Sequence, residues 1–230
     1  MKKKDFSVLF KELIDSIDIS ISVSGSSISG SEVTFFTSNT KWLRLGKTIS
    51  GLNISNSLEE GKITALVKDQ SFTLNNINII SDIKAPKPFS ITGTKLATNL
   101  EWTKANNFAK EKTPICWLLD SYTQTEYGTE SSVERDILAK IFFLDETDVR
   151  NYLTKDHKEQ VIDPMNYLKD QFLLQLNKKP IFKAYNDVNV RFFTKFGTEN
   201  ENGFIKNFID ANLSGLVLEI TLTKYKDSLC

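Results

Sequence analysis

Residues 133–144 read VERDILAKIFFL and residues 216–223 read LVLEITLT. In the second stretch Leu216, Leu218, Ile220 and Leu222 alternate with Val217, Glu219, Thr221 and Thr223. That period-two alternation is the pattern of a half-buried strand. The first stretch also reads as a strand, and its far end, IFFL, is apolar on both faces. Two further segments join them. PICWLLD at 114–120 is almost wholly apolar and reads as a buried strand. Residues 188–196 read as another strand, with Val190, Phe192 and Phe196 inward. The four predict a mostly antiparallel four-stranded sheet in an α+β fold.

Helix is predicted over 148–178, between the second and third of these strands. Val149, Tyr152, Leu153, Val161, Ile162, Met165, Leu168, Phe172 and Leu176 mark its inward face. The Asp163–Pro164 pair reads as an N-cap followed by proline in the first turn, which predicts a break or a re-start there, one helix or two in succession. Lys178 and Lys179 lie at the expected positive end, and Pro180 stops the helix. A second helix is predicted over 5–17, with Asp5 as N-cap. There Phe6, Leu9, Phe10, Leu13, Ile14 and Ile17 form one apolar stripe at helical spacing. Its polar face mixes Lys with Glu and Asp, so it is expected to pack on the sheet rather than on a membrane.

Residues 19–83 have a different texture. Ile19, Ile21 and Val23 alternate with Ser, and 33–36, 48–54, 62–67, 72–74 and 77–80 read as short strands between Gly/Ser/Asn-rich gaps. The segment predicts a small β-rich module, a barrel or sandwich of the SH3 or OB kind, inserted between the first helix and the later sheet. KAPKPF at 84–89 opens a linker over 84–94, because two prolines keep the chain extended. The rest, 95–230, is the α+β domain, with residues 1–18 packing on it.

Composition narrows the function classes. Hydrophobic residues at 40% and charged residues at 25% of 230 support a packed core. Lys+Arg and Asp+Glu are equal at 29 each, so nothing favours a general coat for nucleic acid or anionic membrane. One histidine and two cysteines cannot build a Cys–His zinc cluster or a disulfide scaffold, and cysteine this sparse suits a reducing compartment. MKKK resembles the start of a signal peptide, but Asp5, Lys11, Glu12 and Asp15 interrupt the apolar run that should follow. No apolar run approaches the roughly 20 residues of a membrane helix.

The chemistry-bearing residues are few. GSSISGS at 25–31 has the glycine spacing of a phosphate loop, but Ser31 stands where its lysine belongs and a strand follows, so it reads as a hairpin loop. Asp145, Glu146 and Asp148 lie at a strand-to-helix junction. They could hold a divalent cation, and the expectation is that Thr147 and Asp148 cap the helix instead. His157 is expected on a solvated helix face, and Cys116 as an inert buried thiol. Trp42, Arg44 and Lys47 in NTKWLRLGK combine an aromatic with cations. That is the pattern of a protein-contact anchor or of single-strand nucleic-acid stacking, beside the plainer reading of a core tryptophan.

The order KTPICWLLDSYTQTEYG, ERDILAKIFFLDETD, DHKEQVIDPMNYLKDQF, FKAYNDVNVRFFTKFG, IDANLSGLVLEITLTKYKD resembles neck and tail-joining proteins of tailed bacteriophages of Bacteroidetes hosts. The nearest type is the tail-terminator or tail-completion protein. The likeness covers roughly 95–227. It rests on Pro114, Trp117 and Leu118, on Glu134, Arg135, Asp136 and Phe143 to Thr147, and on Asp210, Leu213, Ser214, Gly215 and Leu218. NTKWLRLGKTI also looks like a β-module preceding that domain.

The resemblance implies a virion structural protein, made in the host cytoplasm, forming a homo-oligomeric ring of six or twelve subunits in the neck or tail. It implies contact with other neck and tail proteins, DNA passing through the channel without specific binding, no membrane, no cofactor and no catalytic residues. A minimal tail terminator does not need the β-rich 19–83 segment, which would add contacts to neighbours. Expected interface residues are Trp42, Arg44, Lys47, Tyr122, Tyr127, Glu130, Glu199 and Asn202, and SGSSISGSE, YTQTEYGTESS and GTENENG are candidates for long polar hairpins that thread onto neighbours. The rival expectations are a small-barrel nucleic-acid-binding module using Trp42, Arg44 and Lys47, and a metal enzyme using Asp145, Glu146 and Asp148.

Overall fold

The structure, a computed structural model, describes residues 6–92, 113–119, 123–127, 134–148, 151–179, 182, 188–196, 198–201, 204–207 and 212–224; for 123–127, 134–135, 198–201, 204–207 and 224 the description is of the backbone. The fold is α+β and mostly strand. The chain divides into two compact units, Asp18–Lys87 and the remainder, Met1–Ile17 with Pro88–Cys230. The division falls inside KAPKPF, between Lys87 and Pro88.

The larger unit opens with α1 (Phe6–Asp15). All six stripe residues, Phe6 to Ile17, are buried. Asp5, the expected cap, lies outside the described residues. The sheet contains the four predicted strands: β8 (Ile115–Leu118), β10 (Glu134–Glu146), β11 (Val188–Phe196) and β14 (Leu213–Lys224). It is nevertheless six-stranded, not four-stranded. β7 (Phe89–Thr92) runs parallel to β8, where the sequence predicted linker, and β9 (Thr123–Tyr127) pairs with β10, where it predicted loop. The order is β11-β14-β10-β8-β7, with β9 on the β10 edge beyond β8. TQTEY supplies Thr and Tyr, residues that favour strands, but no apolar alternation to announce one.

The centre of this sheet is the β10–β14 pair, antiparallel and continuous over twelve residue pairs from Arg135↔Lys224 to Glu146↔Leu213. Strand alternation divides its side chains between two faces. Ile137, Ala139, Ile141 and Phe143 share one face with Leu216, Leu218, Ile220 and Leu222, all buried. Helices cover that face. Phe172 lies 5.9 Å from both Phe10 of α1 and Phe143 of β10, centroid to centroid, which joins two helices and the sheet through three rings. Each ring buried this way is worth about 1.5–3 kcal/mol in transfer terms.

The opposite face carries a second apolar cluster. Trp117 stacks on Phe142 at 5.1 Å and meets Phe196 edge-on at 5.7 Å, and Phe193 lies 5.5 Å from Phe196. Ile91, Ile115, Leu144 and Leu213 complete its buried part. The expected phase of β11 is therefore corrected. Phe193 and Phe196 join this cluster, while Phe192 is 52% exposed on the edge strand. The cause is the register Phe193↔Gly215 with a bulge before Phe196: the ring stands beside a residue with no side chain.

The helical connection comprises α2 (Thr154–His157), a π-turn (Lys158–Ile162) and α3 (Asp163–Asn177). The α-helix re-starts at Asp163, as expected, with Pro164 in its first turn; the helical path is not interrupted, and Ile162 rather than Asp163 stands at the cap. Ile162 and Asp163 keep right-handed helical dihedrals, and Asp163 N–H reaches back to Lys158 O. In an α-helix the Pro164 ring would press on the carbonyl four residues before it, and the wider π-turn offers a way round that clash. Val161, Met165, Leu168, Phe172 and Leu176 are buried as expected. Leu153 is exposed instead, because the helix starts after it and its N–H goes to the Asp156 carboxylate. Val149 and Pro180 lie outside the described residues.

The unit Asp18–Lys87 holds β1 (Gly25–Ser29), β2 (Glu32–Phe36), β3 (Thr48–Leu52), β4 (Leu58–Val67), β5 (Ser71–Leu74) and β6 (Ser81–Lys84). Their order is β1-β2-β5-β4-β3-β6, antiparallel throughout. The β6 edge is covered by the chain just before β1. Ile21 N–H donates to Ile83 O, Ala85 N–H donates to Ile19 O, and Ser20 bridges Lys84. Because that covering segment runs on into β1, the hydrogen-bonded path returns on itself. Val33, Phe35, Ile49, Ile63, Phe72, Leu74, Ile79 and Ile83 are buried within the unit.

Two sequence expectations shift here. GSSIS is a strand, and only its far end is the hairpin turn, with Gly30 at φ +61°. The strand expected at 77–80 lies at 81–84, since Asn76 turns the chain by accepting from Asn78 N–H and Asp82 adopts φ +46° in a bulge against β3. Lys84 pairs with Asp82 at 2.7 Å and with Asp18 at 3.4 Å, and Lys87 with Asp18 at 3.4 Å. The Asp82 hydrogen bond, with the Asp18 charge, raises the Lys84 pKa. These pairs tie the start of the unit to its end. Among the described residues no helix is long and apolar enough to cross a membrane.

Gly215 is the most constrained position in the larger sheet. Its φ is +153°, and a Cβ there would run into the Phe143 carbonyl oxygen of the neighbouring strand. Gly215→Ala is expected to cost about 2–4 kcal/mol, combining backbone strain with forced separation of β10 and β14. Urea unfolding of both proteins checks this; a loss below about 0.5 kcal/mol, the range of an inert surface substitution, would contradict it.

Candidate functional site

The loop between β2 and β3, residues 37–47, is built from both ends. Thr37 Oγ1 donates to Ser22 O at 2.8 Å and accepts from Asn39 N–H at 3.2 Å. Thr40 is buried, and its N–H and hydroxyl both reach Asp69 Oδ1 at 3.2 Å, while Asp69 N–H donates to Thr40 Oγ1 at 2.9 Å. Asp69 holds φ +52° in the β4–β5 turn, a conformation that Asp tolerates better than most residues. Leu43 is fully buried beneath the loop.

These anchors decide what the loop presents. Arg44 Nη1 donates to the Lys41 and Leu43 carbonyls, 2.8 Å each, so its guanidinium braces the loop's own backbone. Lys47 is 5% exposed, and its backbone exchanges hydrogen bonds with β4 through Ile63 N–H and with Arg44 O. Trp42 and Lys41 are half-buried, and Leu45 is exposed. The structure thus brings Trp42, Arg44 and Lys47 into one loop but leaves Lys47 off the surface. A half-buried indole beside an exposed leucine suits contact with a protein surface better than phosphate tracking, which needs projecting cations. Sequence adjacency of an aromatic and three cations carried no sign of which cation would be inside.

The other expected interface residues belong to the larger unit. Tyr122, Glu130 and Asn202 lie outside the described residues, and so do the side chains of Tyr127 and Glu199. Their backbone is not loop, however. Tyr127 ends β9, paired with Glu134, and Glu199 lies on β12 (Thr198–Glu201), paired with β13 (Phe204–Asn207). Paired strands thus stand in the two segments expected as polar loops or hairpins.

The acidic trio is occupied with local structure. Asp145 is buried and its Oδ1 accepts from Glu146 N–H at 2.8 Å. Asp148 accepts from Asn151 N–H at 3.2 Å and from Asn151 Nδ2 at 2.7 Å in a turn that precedes the helix; the helix itself starts at Thr154 with Leu153 at its cap, so the expected capping by Thr147 and Asp148 is corrected. Among the described residues no group of three or more His, Cys, Asp and Glu is placed to hold a metal ion. Cys116 is buried on β8, and burial pushes its thiol pKa well up, so it is a poor nucleophile. The three strands that carry the strongest sequence pattern are neighbours: Trp117 faces Phe142, and Leu144 faces Gly215. Within the β10–β14 ladder, on the same face as Phe142, Lys140 pairs with Glu219 at 2.8 Å, and that bond lowers the Glu219 pKa.

Exposed apolar side chains, by contrast, were not singled out from sequence. Ile28 on β1 is 62% exposed and Ile54 at the β3–β4 turn is 87% exposed. Each lies in a Ser/Asn-rich stretch that reads as a gap. Compared with known protein families, with curated proteins and with solved structures, the chain matches none.

His157 corrects another expectation, since its Nε2 is buried and makes no hydrogen bond, rather than facing solvent. Burial lowers its pKa below the usual 6.5. The unfolded chain therefore takes up this proton at higher pH than the folded one. Stability is expected to fall as pH drops from about 6.5 toward the folded-state value, and His157→Gln should remove that part of the slope. Denaturant midpoints for both proteins between about pH 7.5 and 5.5 test it, and parallel curves would contradict it.

Proposed function

We propose that the protein is a virion structural protein, a subunit of the neck or tail of a tailed bacteriophage of tail-terminator or tail-completion type. In this reading it forms a homo-oligomeric ring of six or twelve copies, contacts other neck and tail proteins, encloses the DNA path and is not an enzyme. One observation supports the reading most. The three stretches that carry the resemblance, at 114–118, 134–147 and 213–218, fall on three neighbouring strands of one sheet. A pattern that includes Trp117, Phe143, Gly215 and Leu218 encodes a frame, which is what an assembly subunit needs.

The unit Asp18–Lys87 is read as an inserted SH3- or OB-like module. The support is its closed hydrogen-bond path and the pairing of its first residues with its last. Its loop 37–47, with Trp42 and Leu45, would meet a neighbouring subunit or ring. Repetition of one heterologous contact is how weak pairwise interfaces make a stable closed ring.

Light scattering with negative-stain imaging tests this on the purified chain, alone and mixed with neck and tail proteins of the virion. Particles of six or twelve subunits are expected. A protein that stays monomeric in both settings would count against the ring.

A further inference from the structure

β1 is an edge strand without the usual protection. It pairs with β2 alone among the described strands, and all five of its residues are exposed. Edge strands are commonly blunted by charge, proline or a bulge. The edge strand β11, by contrast, has Arg191, Lys195 and a bulge between Phe193 and Phe196. Gly-Ser-Ser-Ile-Ser has no charge and no proline, and its register with β2 runs unbroken from Gly25↔Phe36 to Ser29↔Glu32.

The hydrogen-bond phase shows which groups that edge offers. Thr37 N–H donates to Gln70 O, so the odd residues of β2 (33 and 35) direct their backbone groups to β5. The even ones, 32, 34 and 36, direct theirs to β1, where they oppose Ser29, Ser27 and Gly25. The N–H and C=O groups of Ser26 and Ile28 therefore point away from the sheet. These two residues lie symmetrically about Ser27.

We propose that the free edge of β1 pairs antiparallel with β1 of a second copy, about a twofold axis at Ser27. Ser26 then opposes Ile28 of the second copy, and Ile28 opposes its Ser26. Both pairs exchange N–H···O=C bonds, four in all, and the two Ser27 residues meet at the axis. At a twofold axis the central side chain meets its own copy and its two neighbours meet each other, so a charged strand would repel itself there. β1 is free of that penalty. The pairing also brings Ile28, 62% exposed in the single chain, beside a neighbouring strand. A peptide from another protein could use the same backbone groups, but only a second copy of this strand makes the register its own complement. One strand pair is a small interface, so the association is weak and concentration-dependent.

The proposal rests on this sheet edge and not on the ring. If the protein forms rings, the contact joins them in pairs; if it does not, it joins single chains. Either way the mass of the assembling unit doubles as concentration rises.

Sedimentation equilibrium on the full chain up to about 1 mM tests it with two variants. Ser26→Pro removes an outward N–H and leaves the bonds to β2 intact, a placement edge strands accept. Ser27→Lys sets two like charges at the axis, on the outer face of the sheet. The expected result is a twofold mass increase for the natural sequence, lost in both variants with unchanged circular dichroism. No doubling at 1 mM, or doubling that survives both substitutions, would overturn the proposal.

Discussion

The twelve-pair ladder between β10 and β14 is the constraint on which the larger unit depends. β8 and β9 add to one side of it and β11 to the other, and both faces bury apolar side chains only because these two strands lie at the centre. One face meets α1 and α3 through Phe10, Phe172 and Phe143. The opposite face gathers Trp117, Phe142, Phe193 and Phe196. The ladder stays in register past Leu144 because Gly215 presents no side chain to the Phe143 carbonyl. A single missing methyl group thus sets how closely the two longest strands approach.

Those features were legible where apolar periodicity was strong. The stripe from Phe6 to Ile17 and the alternation LVLEITLT each predict an element and its buried face, because burial requires that spacing. The prolines of KAPKPF mark where the compact units divide. What escaped was strand without an apolar face. GSSIS, TQTEY and TENE have no alternation of apolar and polar residues in the sequence, so no period announced them. The β11 phase escaped because register against a glycine and a bulge chose Phe193 over Phe192.

Function-bearing residues were harder to read, for a related reason. Their chemistry depends on where a side chain ends, and sequence places only its Cα. Arg44 and Lys47 look alike beside Trp42, yet one braces backbone carbonyls and the other is buried. Asp148 and Thr147 do not cap the helix as expected, since it starts only at Thr154 with Leu153 at its cap, and Asp148 instead forms the turn before it. His157 was not legible either, because the burial of its Nε2 follows from packing around a π-turn, and that turn has no simple sequence signature. The bonding phase of β1 needs the register of two other strand pairs, so no local reading could reach it.

Native-state hydrogen exchange tests the central claim, that the β10–β14 ladder is the frame of the larger unit, most directly. If it is, amides of 139–143 and 216–220 engaged in the ladder exchange most slowly, near the rate set by global unfolding of that unit. Those of β11 and α3 open at lower free energy. Equal or greater protection in β11 or α3 than in the ladder would contradict the account.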